Sequence, residues 1–108
     1  MAGWHRVAAV GEVPAGSARE LTVAGRVIAL YNVDGTLYAL DGICPHLGGP
    51  LGEGTLEGPV VTCPWHGWQF DVTTGRNCLS PRIEQSRFPL KVEGNDVFVE
   101  LPDQQLGG

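Results

Sequence analysis

The sequence predicts an all-β domain with a loop-rich lobe set into its middle. Three observations carry that expectation. Short apolar and β-branched runs recur along the chain, each bounded by turn residues. Glycine and proline are dense, 16 and 8 among 108 residues, which favours turns over long helices. No segment shows the 3.6-residue period of an amphipathic helix. A chain of this length is expected to make one domain, 1–108, with a modest core.

WHRVAAV (4–10) reads as an opening strand, and GEVPAGSA as the loop behind it. RVIALYNV (26–33), Asp34–Gly35 and TLYALD (36–41) carry a hairpin signature, because Asp-Gly tolerates the positive φ of a tight hairpin turn. FPLKVE (88–93), Gly94–Asn95 and DVFVEL (96–101) carry a second. Alternation in the last run places Val97, Val99 and Leu101 on one face and Phe98 and Glu100 on the other. Residues 102–108 read as a frayed tail. Between the hairpins, GICPHLGGPLGEGTLEGPVVTCPWHG (42–67) holds one strand-like run, PVVTC, before WQFDV (68–72) resumes β character. A lobe of this kind, about 42–72, gives its backbone few ladder partners and needs something to hold it.

Twelve acidic and seven basic residues give a formal net charge of -5. That balance argues against nucleic acid, whose affinity rests on cations at phosphates. It suits plain solubility or a basic partner surface equally. The stretch MAGWHRVAAVGEVPAG lacks the apolar core of a secretory signal, and no run approaches a membrane span. A cytoplasmic location without membrane contact is the expectation. Cys44, Cys63 and Cys78 are odd in number. In a reducing compartment they read as ligands or free thiols, not as a disulfide framework.

The chemistry concentrates in CPHLGG (44–49) and CPWHGW (63–68). Each puts a cysteine just ahead of a histidine: Cys44 and His46, then Cys63 and His66. Metal ligation requires donor atoms to converge within about 2.0–2.3 Å of an ion, and tight turns direct side chains to one point. Pro45 and Pro64 stiffen the loops behind the cysteines, while Gly48, Gly49 and Gly67 let backbone pass close to the site. A bland reading makes the cysteines small core residues and the histidines surface ones, but it leaves the paired spacing to chance. Zinc is the rival metal. Zinc fingers of the Cys2His2 kind group two cysteines together and two histidines together beside a helix, whereas here each loop offers one of each.

With these residues in view, the chain resembles the Rieske [2Fe–2S] family, in which two cysteines and two histidines bind opposite irons. VIALYNVDGTLYALDGICPHLGGPLGEG, VVTCPWHGWQFDVTTG and FPLKVEGNDVFVEL look like successive blocks of a stand-alone Rieske-type ferredoxin, over most of residues 4–101. The resemblance implies an antiparallel β-sandwich or incomplete-barrel base domain carrying a small cluster-binding lobe. Cys44 and Cys63 would then ligate the inner iron and His46 and His66 the outer one. Around them Pro45, Leu47, Gly48, Pro64, Trp65, Gly67 and Trp68 would shield the cluster or meet a partner. Pro81 would belong to a third covering loop.

Mixed ligation sets the potential. Two thiolates and two neutral imidazoles leave the oxidised site neutral, whereas four thiolates make it a dianion. An electron enters a neutral site more easily, and such centres span about -150 to +300 mV. The high-potential branch of the family adds a disulfide cysteine in each loop and hydroxyl donors to sulfur. The matching positions here hold Gly49, Trp65, Trp68 and Phe70. The low end of the range is therefore expected, with little pH dependence near neutrality.

The resemblance also implies partners: a flavin-dependent NAD(P)H reductase as donor and a terminal oxygenase as acceptor, with the carrier a monomer. The chain itself is not expected to be an enzyme. Oxygenases of this kind need a further iron held by two histidines and a carboxylate, and only His5 is left. His5 reads as a surface residue and Cys78 as a half-buried free thiol. Two readings stand beside this one: a small subunit of a nitrite-reductase-like complex, and a zinc-binding interaction module.

Overall fold

The computed structural model describes residues 3–43, 49–65, 67–80 and 82–101. Its strands, in chain order, are β1 (Gly3–Ala9), β2 (Ala18–Val23), β3 (Arg26–Val33), β4 (Thr36–Asp41), β5 (Thr55–Glu57), β6 (Val60–Thr62), β7 (Gln69–Asp71), β8 (Arg76–Asn77), β9 (Arg87–Phe88), β10 (Leu90–Glu93) and β11 (Asp96–Leu101). Three antiparallel sheets result, ordered β1-β11-β10, β2-β3-β4-β9 and β5-β6-β7-β8. Short 3-10 turns cover Val10–Glu12 and Leu51–Glu53. Among the described residues no helix is long and apolar enough to cross a membrane. The all-β expectation holds, with open sheets rather than a closed barrel.

The β2-β3-β4-β9 sheet is the middle layer. Ile28 and Leu30 of β3 and Ala39 of β4 pack with Ala8, Val99 and Leu101 of the outer sheet. On the opposite face, Ala29, Tyr31 and Leu40 pack with Val61, Cys63 and Phe70 of the lobe. A strand buried on both faces cannot alternate apolar with polar, which is why IALY runs uninterrupted in β3. The lobe's core is thus continuous with the base.

Asp34 and Gly35 both take positive φ, 52° and 95°, making the β3–β4 turn the sequence predicts. Three differences from the sequence reading have physical causes. β2 lies in a stretch to which the sequence reading assigns no element, because Ala24 at φ 51° closes its hairpin with Gly25 and alanine rarely accepts that geometry. The lobe holds more strand than the PVVTC and WQFDV runs expected: β5 and β8 join β6 and β7 in a four-stranded sheet of its own. FPLKVE is not one strand. It breaks at Pro89, which has no N–H for a ladder, so Phe88 pairs with Ala39 in the middle sheet while Leu90 pairs with Val99 in the outer one.

Candidate metal centre

Two loops carry the predicted ligands, and the structure shows how each is held at its base. At the first, Leu51 N–H donates to the Gly42 carbonyl at 2.9 Å, and Ile43 and Pro50 pair as an isolated antiparallel bridge. Leu51 is itself anchored: its side chain is buried, and its carbonyl accepts the Tyr31 hydroxyl at 2.9 Å. At the second, Cys63 N–H donates to the Trp68 carbonyl at 2.7 Å. Both loops therefore start and finish on the floor made by β3, β4 and the lobe sheet.

Gly49 is where the loops meet. A Cβ at that position would lie 2.9 Å from Cys63 Sγ and 2.9 Å from both Cβ and Cγ of Trp65. With Trp65 as the neighbour, glycine is what lets the first loop come this close to the Cys63 and Trp65 side chains. Gly49 and Trp65 are also the two positions the resemblance matches to a disulfide in the high-potential branch, and here they lie side by side.

Cys63 is buried, at 1% exposure, in the same cluster as Phe70 and Tyr31. The next residues of its loop face solvent: Pro64 and Gly67 are exposed, and Trp65 is 50% exposed. Trp68 is half-buried, its ring 6.4 Å from that of Phe70 and tilted 41°. Cys44, Pro45, His46, Leu47 and Gly48 of the first loop, His66 of the second, and Pro81 lie outside the described residues. Cys78 is exposed, not half-buried. Among the described residues no set of three or more His, Cys, Asp or Glu offers a competing metal site.

The stretch of sequence that carries both loops is acidic. Between Arg26 and Arg76 the chain has no lysine or arginine but carries Asp34, Asp41, Glu53, Glu57 and Asp71. The remaining seven carboxylates and seven cations balance, so this segment carries the whole net charge. Glu20 on β2 lies against the Leu51–Glu53 turn, where a Cβ on Gly52 would come within 2.9 Å of its Cα. Desolvation first, and then the charge and hydrogen bond of Glu53, raise the Glu20 pKa from its ordinary value. The folded state thus holds this proton more tightly than the unfolded one. The stabilisation is complete below the ordinary carboxylate range and is lost as pH rises through the raised value. Glu20→Gln is expected to raise the melting temperature by a few degrees at most at neutral pH. The gain should shrink as pH falls through the raised Glu20 value, as thermal melts at successively lower pH would show.

Taken together, fold and site define a small antiparallel-β metal domain: two Cys/His loops touching over a core cysteine, with the loop tip of one at the surface. Comparison with known proteins gives the family. Residues 3–99 match the model of the Rieske [2Fe-2S] domain. The chain is 38% identical over 99 residues to the ferredoxin component of a naphthalene 1,2-dioxygenase system from Pseudomonas aeruginosa, covering 91% of this chain and 95% of that protein. Among solved structures, Sphingomonas yanoikuyae B1 ferredoxin superposes with a TM-score of 0.84 at 29% identity, covering 93% of this chain and all of that one, 100%. A chain in the complex of reduced oxygenase and oxidized ferredoxin of carbazole 1,9a-dioxygenase gives 0.82 at 35% identity, covering 89% and 91%. The chain belongs to the Rieske [2Fe–2S] domain family, and its cofactor is a Rieske-type cluster. The described residues fit that group: Cys63 offers a soft thiolate donor where the loops converge, and Gly49 leaves the space beside it clear.

Proposed function

We propose that the chain is a one-electron carrier, not itself an enzyme, that passes electrons from a flavin-dependent NAD(P)H reductase to a terminal oxygenase. When bound, the cluster supplies a single reversible redox step. Cys44 and Cys63 would hold its inner iron and His46 and His66 its outer one. The observation that carries this reading is Cys63, buried in the shared core at the loop contact while Pro64, Trp65 and Gly67 beside it face solvent. A burial gradient of this kind keeps water from the thiolate side and leaves the loop tip open to a partner.

The protein's own residues then do three things. Phe70, Val61 and Tyr31 exclude water beneath the cysteine. Trp65 and Leu79, 50% and 94% exposed, supply apolar contact at the rim. Between the loop and Leu79 lies a cleft of about 340 Å³ lined by Gly67, Trp68, Asn77 and Ile83. The uncompensated carboxylates favour a basic partner surface and a short-lived, salt-sensitive encounter. They also disfavour an added electron, which supports a potential at the low end of the family range. We read residues 1–108 as a single domain, with the cluster lobe about 42–72, acting as a cytoplasmic monomer.

A role as a small subunit of a nitrite-reductase-like complex is not favoured, since the similar proteins are named as dioxygenase ferredoxins. The test is direct. Purified protein should contain iron and acid-labile sulfide, absorb in the visible, and accept one electron from NADH when a flavin reductase is present in catalytic amount. A reduced-state EPR signal should appear, and the midpoint should lie below roughly +100 mV. Colourless protein holding zinc, or a much higher midpoint, overturns the reading.

A further inference from the structure

A third stretch of chain, between β8 and β9, reaches the lobe and brings a buried glutamine that has no place in the ligand set. We propose that Gln85 is the positioning residue of the first ligand loop: its carboxamide fixes the backbone at Asp41 and Ile43 and so sets where Cys44 is delivered. The inference rests on the functional reading above, in which Cys44 is a ligand.

Gln85 is 6% exposed. Its Nε2 donates to the Asp41 carbonyl at 2.7 Å and to the Ile43 carbonyl at 2.5 Å. A carboxamide has two N–H donors, and both are used on carbonyls that flank Gly42. Gly42 is held by other elements: its N–H donates to Val27 of β3 at 2.9 Å, and its carbonyl accepts Leu51 N–H. Three consecutive residues are thereby tied down from three directions just ahead of the loop. The Ile43 carbonyl belongs to the planar peptide unit that leads into Cys44, so holding its oxygen fixes the plane from which the ligand residue departs.

The glutamine is itself anchored. Gln85 N–H donates to the Gly75 carbonyl in the β7–β8 turn at 2.6 Å, and Asp41 N–H donates to the Ser86 carbonyl at 2.8 Å. The side chain thus links the end of β4, the start of the first loop and the lobe hairpin. A role as core filler does not account for this choice. An aliphatic side chain would fill the volume, whereas an amide is costly to bury unless its bonds are made. Without the amide, two carbonyls would lose their donor.

The experiment uses the cluster-loaded protein. Gln85→Met keeps the length and removes both donors. Gln85→Glu keeps the shape and, when protonated, one donor. Asn32→Ala serves as the control, because it cuts a buried bond of similar length, Asn32 Nδ2 to the Val13 carbonyl at 2.7 Å, on the other face of the middle sheet. Gln85→Met is expected to lose its cluster to a chelator about 30-fold faster than the wild type and to shift the EPR g-values of the reduced protein. Gln85→Glu should fall between them, and it decides the matter if the Met variant does not fold. Asn32→Ala should melt at lower temperature with unchanged EPR. Wild-type EPR and cluster-loss rates in the Gln85 variants, or the same changes in Asn32→Ala, overturn the inference. Wild-type protein that binds no cluster would instead remove the functional reading beneath it.

Discussion

Gly49→Ala is expected to yield a folded protein that holds little or no cluster. The added Cβ would sit 2.9 Å from Cys63 Sγ and from two atoms of Trp65, where about 3.5–4.0 Å is comfortable. Neither neighbour has room to give: Cys63 is buried in the core, and the Trp65 atoms are those nearest its backbone. The loops must part by roughly half an ångström or more, which exceeds the tolerance of about 0.2 Å for metal–ligand distances. Gly49 lies outside every strand, so the base sheets should survive. Circular dichroism should match the wild type, while iron and sulfide content falls at least several-fold. A full complement of cluster in the variant would mean that the loops are not held together by this contact.

His66→Cys is expected to lower the midpoint on the order of 100 mV or more, provided a cluster still assembles. The substitution exchanges a neutral donor for an anionic one, leaving the site one charge more negative in both oxidation states. The incoming electron then works against that additional charge. Neither ligand loop carries a lysine or arginine to offset it. Redox titration followed by visible absorption measures the change. An unchanged midpoint would remove His66 from the ligand set and with it the proposed division of cysteines and histidines between the irons.

The sequence disclosed the site's chemistry better than its framework. The Rieske resemblance could be seen in the spacing of the Cys/His pairs, and the family match over residues 3–99 agrees with it. The hairpin at Asp34–Gly35 could be read because those residues accept the backbone angles observed. β2 was missed because its turn uses Ala24, whose preference points elsewhere. β5 and β8 were missed because two or three residues leave no period to detect, whereas β6 and β7 fall in the runs PVVTC and WQFDV that read as β. The break at Pro89 was visible as a proline but not as a change of sheet. Gln85 was beyond sequence reasoning altogether: its partners lie 44 and 42 positions away, and nothing local distinguishes it from a surface glutamine.

The double burial of β3 bears on how the redox head can be handled. Its floor, Ala29, Tyr31 and Leu40, is the reverse side of the strands whose other faces close the base. An engineer who excised the head as a cassette would take the loops and leave that floor behind, with Cys63 and Phe70 newly open to water. Grafting onto a foreign scaffold would have to bring the middle layer too, and with it most of the chain.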